Sequence, residues 1–322
     1  MIWLGALAAG LLGFELFLRI YYGNAARGVY SDVPTLRPRP RPREDSGESI
    51  SITTADGITL VGTRWAATEP GRRTIVFAPE AGASRLTATH YAAPLLTAGY
   101  EVVAFDLRNT GDSEAEPGYQ PHHWPTDREV ADLSAVFAGI DGPIGFIGVS
   151  KGGAAGAIAA TRFPKVRAIC LISSFDTHRV ARTFGLKWAG IAVLPRWIDW
   201  LLPKWHVAQT IRIGGYWEAL ARGVRYPSLE AALRNLCDRS VFLISGSRDN
   251  YIPLELAKRL QTAAELTDER LWLVPKAKHN GARDVATEEY DERVAAFFEA
   301  ALPENVGGVS VAVEAEVAHV PS

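Results

Sequence analysis

The sequence contains a serine between glycines at the end of an apolar run. Residues 148–152 read Gly-Val-Ser-Lys-Gly, which fits the pattern Gly-x-Ser-x-Gly. The run Ile144–Val149 predicts a strand, and the alanine-rich residues after Gly153 predict a helix. A strand that turns directly into a helix leaves little room for Cβ atoms beside the serine, which favours glycine there. The sequence therefore predicts that Ser150 stands at a tight turn above a helix N-terminus, whose N–H groups stabilise an anion.

The composition limits the classes of protein to which this chain could belong. The 322 residues are 48% hydrophobic, so one large α/β domain with extensions is expected. The formal net charge of −2 gives no reason to expect nucleic acid as a partner. The two cysteines, Cys170 and Cys237, form neither a disulfide framework nor a metal-binding spacing. We therefore expect no metal and no cofactor.

Eight short apolar segments predict the strands of a sheet. They are Ile50–Thr54, Ile58–Trp65, Thr74–Ala78, Tyr100–Phe105, Ile144–Val149, Val166–Ile172, Val241–Ser245 and Arg270–Val274. Helical patterns lie between them, at Tyr91–Ala98, Thr126–Ile140, Lys151–Phe163, Leu254–Ala264 and Glu288–Leu302. Apolar strands that alternate with helices predict a mostly parallel sheet covered on both faces. Catalytic groups in such sheets gather beyond the carboxyl ends of the strands.

The first residues of the chain predict a membrane anchor. Residues 2–22 are almost wholly apolar, and a helix of this length would span about 30 Å, the thickness of the hydrocarbon core. Glu15 and Arg19 interrupt the run four residues apart, a spacing that lets them pair on one helix face. A cleaved signal peptide and a buried soluble helix are the alternatives. Because no basic residue precedes Arg19, we favour a retained single-pass anchor over residues 1–23.

An arginine- and proline-rich segment follows the anchor over residues 24–48. Its alternating Arg and Pro residues predict a stiff, extended linker, whose arginines either contact anionic lipid or keep the linker soluble. Positive charge on this side of the anchor predicts that the following domain is cytoplasmic. The globular domain is expected over residues 49–302, with a tail at 303–322 that is either an edge strand or disordered.

Several motifs in the domain resemble those of the α/β-hydrolase family. Asp56-Gly57 with Leu60 is similar to the opening hairpin of the family, and residues 105–113, Phe-Asp-Leu-Arg-Asn-Thr-Gly-Asp-Ser, are similar to its strand-end motif. Residues 148–152 are similar to its nucleophile elbow. The resemblance extends from about Ile50 to Leu302. It implies a mostly parallel eight-stranded α/β-hydrolase sheet with a helical lid insert, here preceded by the transmembrane helix.

The resemblance also implies a catalytic triad in the order serine, acid, histidine. A serine hydroxyl becomes a good nucleophile when a neighbouring imidazole accepts its proton. His279 follows the last predicted strand, where the family has its base. Asp249 lies in the loop after the preceding strand and is the expected acid, and Asp176 is the alternative. The predicted catalytic residues are therefore Ser150, Asp249 and His279.

The oxyanion hole is where the sequence departs from the family. One backbone N–H group is expected from Lys151, directly after the serine, and the other from Ala81 in the loop after Ala78. Relatives commonly have His-Gly before the second donor, whereas this chain has Pro79-Glu80. An inward Glu80 would oppose an oxyanion or select a cationic substrate. We instead expect Glu80 to point outward or to pair with Arg85 or Arg108.

The lid insert is predicted over residues 175–238. It is rich in tryptophan, and we expect Trp188, Trp197 and Trp200 to line an apolar substrate-binding pocket. Tryptophan beside basic residues is also typical of a membrane interface, and ordinary packing of the lid is the third interpretation.

Together these observations predict a membrane-anchored serine hydrolase that cleaves esters or thioesters of a hydrophobic or lipid acyl substrate. A serine peptidase of the same fold is one alternative. The other is a non-catalytic hydrolase-like subunit, for which we would expect a membrane-protein partner.

Overall fold

The computed structural model describes residues 2–31, 38–40, 47–69, 73–188 and 203–302. Eight strands run through the centre of the domain. They are β1 (Glu48–Thr53), β2 (Thr59–Trp65), β3 (Thr74–Ala78), β4 (Glu101–Phe105), β5 (Ile144–Val149), β6 (Val166–Ile172), β7 (Ser240–Gly246) and β8 (Leu271–Val274). They form one sheet in the order β1-β2-β4-β3-β5-β6-β7-β8. The β1–β2 and β2–β4 pairs are antiparallel and the others are parallel, which confirms the predicted eight-stranded, mostly parallel sheet.

Helices cover both faces of this sheet. In the described residues they are α1 (Ile2–Ser31), α2 (Ala88–Tyr91), α3 (Ala93–Thr97), α4 (Asp127–Gly139), α5 (Ser150–Ala160), α6 (Thr177–Trp188), α7 (Lys204–Arg222), α8 (Leu229–Arg234), α9 (Leu254–Ala263), α10 (Ala282–Val285) and α11 (Thr287–Ala301). Side chains of α4, α5, α8 and α9 pack on one face of the sheet. Those of α2, α3 and α11 pack on the other. The parallel strands are buried on both faces, which explains why they read as continuous apolar runs.

Helix α1 does not end where the apolar run ends but continues to Ser31. Its last turns pack closely against α7, because α7 has glycine at the contact. A Cβ atom on Gly214 would lie 2.8 Å from the Ala26 backbone, and one on Gly215 would lie 2.4 Å from the Tyr30 ring. Tyr30 is 1% exposed, and its carbonyl accepts a hydrogen bond of 3.1 Å from the Trp124 indole. Residues 24–31, expected to begin an extended linker, are therefore helical and belong to the packed domain.

A buried arginine connects several segments at the carboxyl end of β4. The Arg108 guanidinium is fully buried and pairs with Asp132 of α4 at 2.6 Å, with Asp56 at 2.7 Å and with Glu116 at 2.6 Å. Asp56 belongs to the hairpin between β1 and β2, so one side chain joins this hairpin, the loop after β4 and α4. These are the Asp-Gly and Asp-x-Arg positions that carry the family resemblance in the sequence.

We predict that Asp132→Ala destabilises the protein strongly, because it leaves a buried positive charge without its fully buried partner. The expected loss in the free energy of unfolding is about 3–5 kcal/mol. Asp56→Ala is the matched control, since the Asp56 side chain is 48% exposed and the expected loss is below about 1 kcal/mol. Urea unfolding of the full-length protein in detergent, followed by circular dichroism, measures both. Equal losses for the two variants would contradict this account.

Candidate active site

Ser150 stands where β5 turns into α5, in a backbone conformation that is rare for residues with a side chain. Its φ angle is 50°, in the left-handed region. The surrounding glycines are required by close backbone contacts. A Cβ atom on Gly152 would lie 2.2 Å from the Pro79 carbonyl oxygen, and one on Gly148 would lie 2.4 Å from the Gly153 Cα atom. The steric argument made from the sequence thus holds at both glycines of the Gly-x-Ser-x-Gly pattern.

The structure brings the three predicted catalytic side chains together. Ser150 Oγ lies 3.0 Å from His279 Nε2, and His279 Nδ1 lies 2.7 Å from Asp249 Oδ2. The other Asp249 oxygen accepts the backbone N–H groups of Tyr251 and Ile252, each at 2.8 Å. With Nδ1–H donating to the carboxylate, the Nε2 lone pair faces the serine hydroxyl. This arrangement can accept the serine proton.

Asp176, the alternative acid, is engaged elsewhere. Its oxygens accept the Ser228 hydroxyl at 2.5 Å and the backbone N–H groups of Glu230 and Arg179 at 3.1 and 3.2 Å. It therefore stabilises the starts of α6 and α8, in contrast to Asp249, which contacts the imidazole.

The two predicted oxyanion residues, Ala81 and Lys151, line one cavity of about 620 Å³. Lys151 follows the serine in the first turn of α5, and Ala81 lies in the loop after β3. The close approach of this loop to Gly152 places both backbones at the same end of the sheet. The cavity is also lined by Pro38, the loop 107–111, His122, His123 and Glu129.

The Lys151 side chain forms a buried ion pair that the sequence does not reveal. Its Nζ atom lies 2.6 Å from Glu129 and donates to the His122 carbonyl at 2.8 Å. Burial alone would raise the pKa of Glu129. The positive charge and the hydrogen bond of Lys151, together with hydrogen bonds from Tyr119 and Thr126, instead hold this pKa below its usual value. Glu129 also closes a capping box with Thr126 at the start of α4. The pair thus joins the nucleophile-bearing helix to α4.

In the described residues, polar as well as apolar side chains line this cavity. Burial lowers the pKa of His123 to about 3, so its imidazole is neutral near pH 7. Neutral imidazole both donates and accepts hydrogen bonds. Of the predicted substrate-binding residues, Trp197 and Trp200 lie outside the described residues, as does the side chain of Trp188.

Glu80, the departure from the family pattern, is buried rather than directed outward as expected. In the described residues it accepts hydrogen bonds from neutral donors: the Arg39 backbone N–H at 2.7 Å, the Tyr91 hydroxyl at 3.0 Å and the Asn280 side-chain amide at 2.5 Å. Arg108 instead pairs with Asp56, Asp132 and Glu116, and Arg85 pairs with Asp106 and Asp112.

The position of Glu80 connects two loops of the site. Glu80 immediately precedes Ala81, and Asn280 immediately follows His279. The Glu80–Asn280 hydrogen bond therefore joins the loop of the expected oxyanion donor to the loop of the imidazole. The Arg39 backbone N–H connects the segment 38–40 to Glu80 as well. The Arg39 side chain lies over the Tyr91 ring and pairs with Asp284.

Comparisons with known proteins show the family and the fold. A family model described as "Alpha/beta hydrolase family" matches residues 75–297. No curated protein sequence matches the chain significantly.

Solved structures share the fold at low sequence identity. An esterase of Pyrococcus furiosus is 21% identical, with 83% of this chain and 98% of that chain covered and a TM-score of 0.55. A membrane phospholipase A, described as a bacterial virulence factor, is 18% identical, with 94% and 97% covered and a TM-score of 0.54. A carboxylesterase of Nitrososphaera gargenis is 18% identical, with 76% and 96% covered and a TM-score of 0.53.

We predict that replacing His123 makes the protein less sensitive to acid. The unfolded chain protonates this histidine near pH 6.5, whereas the folded protein keeps it neutral down to about pH 3. The wild type should therefore lose stability relative to His123→Asn as the pH falls from 6.5 to 4, by about 1.4 kcal/mol per pH unit. Urea unfolding of both proteins at pH 7.5, 6, 5 and 4 measures this difference. A difference that does not change with pH would contradict the assignment.

Proposed function

Because this chain belongs to the alpha/beta hydrolase family, we propose that it is a serine hydrolase that cleaves ester or thioester bonds of a hydrophobic acyl substrate. The observation that carries this proposal is the hydrogen-bonded chain from Ser150 through His279 to Asp249, with distances of 3.0 and 2.7 Å. Esterases and a phospholipase among the structural neighbours support an ester substrate.

In this mechanism Ser150 Oγ attacks the carbonyl carbon while its proton passes to His279 Nε2. Asp249 holds the imidazole and stabilises the imidazolium. The backbone N–H groups of Lys151 and Ala81 bind the oxyanion of the tetrahedral intermediate. His279 then returns the proton to the departing alcohol or thiol, which leaves an acyl group on Ser150. Water, deprotonated by His279, attacks this acyl-enzyme, and a second collapse releases the acid and restores the hydroxyl.

The contacts of Glu80 favour an ester hydrolase over the two alternatives. A peptidase that binds a substrate amine needs a carboxylate available to it, but the Glu80 oxygens already accept three hydrogen bonds. The same contacts weaken the case for a non-catalytic subunit that the altered Pro79-Glu80 loop suggests. Glu80 is stabilised by three neutral donors that hold two site loops together.

We also propose that α1 is retained as a single-pass anchor, with the catalytic domain on the cytoplasmic side. The helix is long and apolar enough to cross a membrane by length and composition, a test that a signal sequence also passes. Retention is favoured because residues before Ala25-Ala26 contact the domain: Glu15 lies 2.9 Å from His206, and a Cβ atom on Gly23 would lie 2.7 Å from the Trp217 ring. Cleavage near Ala25-Ala26, where the sequence offers small residues, would remove much of the α1–α7 packing.

We predict that Ser150→Ala lowers the turnover of short p-nitrophenyl esters by at least about 10³-fold, because it removes the nucleophile. A fluorophosphonate probe should label the wild type but not this variant. Ser134→Ala is the control, since the Ser134 hydroxyl donates to the Val130 carbonyl within α4, away from Ser150. Circular dichroism checks that both variants are folded. Retained turnover by folded Ser150→Ala would refute the assignment of the nucleophile.

We predict that Glu80→Gln lowers kcat about tenfold or more with little change in KM, because an amide at this position cannot accept all three hydrogen bonds. The imidazole and oxyanion loops would then lose their connection. Asp284→Asn is the matched control, since it weakens the Arg39–Asp284 pair and leaves the Glu80 contacts in place. Steady-state ester hydrolysis separates kcat from KM. Equal effects of the two variants would show that Glu80 has no special role in positioning.

A further inference from the structure

Helices α1 and α7 lie side by side and run in the same direction. Contacts between them advance together along both helices. They include Glu15 with His206, Arg19 with Thr210, Ala26 with Gly214 and Arg27 with Glu218. Residues 2–14 of α1 therefore precede the Glu15–His206 contact near the start of α7, while the second half of α1 lies against α7.

The charged groups in the apolar part of α1 are paired within this contact. Glu15 pairs with Arg19 at 2.7 Å and with His206 Nε2 at 2.9 Å. The other Arg19 donors bond the His206 carbonyl, the Thr210 hydroxyl and the Gln209 side-chain oxygen, each at 3.2 Å. An unpaired charge within the hydrocarbon core of a membrane is costly. The partners of Glu15 and Arg19 lie on α7. These two charged residues are therefore compatible with a position of α1 and the start of α7 in a membrane.

The exposed apolar part of α1 is about as long as the hydrocarbon core of a membrane is thick. Large apolar side chains are exposed along it, namely Trp3, Leu4, Leu7, Leu11, Leu12, Phe14, Leu16, Phe17, Ile20 and Tyr21. From Trp3 to Tyr21 the helix rises about 27 Å, close to the 30 Å of a hydrocarbon core. Tyr21 then marks the boundary on the side of the domain, where interfacial aromatic residues belong.

Trp205 lies within this band although it belongs to the lid insert. It is 59% exposed, and its ring packs against the ring of His206, the partner of Glu15. Contacts at the level of Glu15 lie about 9 Å from Tyr21 along α1, toward the membrane interior.

We propose that the first turn of α7 is a second contact with the lipid bilayer, with Trp205 inserted beside the anchor on the membrane side of Tyr21. This inference rests on the proposed retention of α1. It goes further in that the start of α7, a described helix of the predicted lid insert, also contacts the membrane. Because α7 packs against α6, where a Cβ atom on Gly185 would lie 2.6 Å from Ile211, the helix that follows β6 and Asp176 is held near the bilayer. The substrate class that this placement favours is an ester whose acyl chain resides in the membrane.

Site-directed spin labelling of the full-length protein in phosphatidylcholine vesicles tests the proposal. Labels are attached to Leu12→Cys, Trp205→Cys and Tyr216→Cys, each in a Cys237→Ala background, since Cys237 is exposed and Cys170 is buried. Tyr216 is the matched control. It is an exposed aromatic on the same helix, but lies about 16 Å further along its axis, beside the packed half of α1.

We expect labels at positions 12 and 205 to be more accessible to oxygen than to a water-soluble nickel reagent, and the label at 216 to show the reverse. A label at 12 in lipid with a label at 205 in water would overturn the proposal and leave the anchor intact. Labels at both positions in water would overturn both.

Activity provides an independent measurement that separates this inference from the proposed chemistry. Trp205→Ala should lower hydrolysis of a lipid ester in vesicles about fivefold or more and leave hydrolysis of a soluble p-nitrophenyl ester unchanged. Tyr216→Ala should change neither rate. Equal rates of wild type and Trp205→Ala on vesicles would contradict the contact between α7 and the membrane. Absence of soluble-ester turnover by the wild type would instead refute the proposed function.

Discussion

The left-handed backbone at Ser150 is the constraint on which the site depends. A side chain in this conformation costs about 1–3 kcal/mol and persists only where the surroundings enforce it. Here they do so by backbone contact, since α5 approaches Pro79 and the end of β5 too closely for any Cβ atom at Gly152 or Gly148. The same approach brings the loop of Ala81 beside the serine. Parallel pairing of β5 through β8 then places the loops of Asp249 and His279 at the same edge of the sheet.

The sheet and its catalytic edge could be predicted from the sequence because both depend on local patterns. Each buried strand is a continuous apolar run, and the glycines around Ser150 are adjacent in the chain. The pairing of Ser150, His279 and Asp249 came from the resemblance to a family, since no local pattern connects residues 30 and 129 positions apart. The end of α1 was missed for a related reason. Residues 24–31 read as a polar linker, and the α7 glycines that hold them as a helix lie nearly two hundred residues further along.

Glu80 shows how a substitution that looks unfavourable by itself is compensated by distant residues. A buried carboxylate costs free energy unless donors surround it. The three donors here come from residues 39, 91 and 280, on separate parts of the chain. The sequence shows the charge but not the donors, so the orientation of Glu80 was predicted wrongly. The donor at residue 39 also ties the chain that leaves α1 to the loop beside the nucleophile.

The continuous helix from Trp3 to the buried Tyr30 also has a mechanical consequence. A flexible tether would let the domain tumble above the membrane. In the proposed anchoring, the rigid helix α1 instead sets the height and tilt of the domain relative to the lipid. A change in bilayer thickness alters helix tilt at modest energetic cost, and here such a tilt would reorient the whole domain.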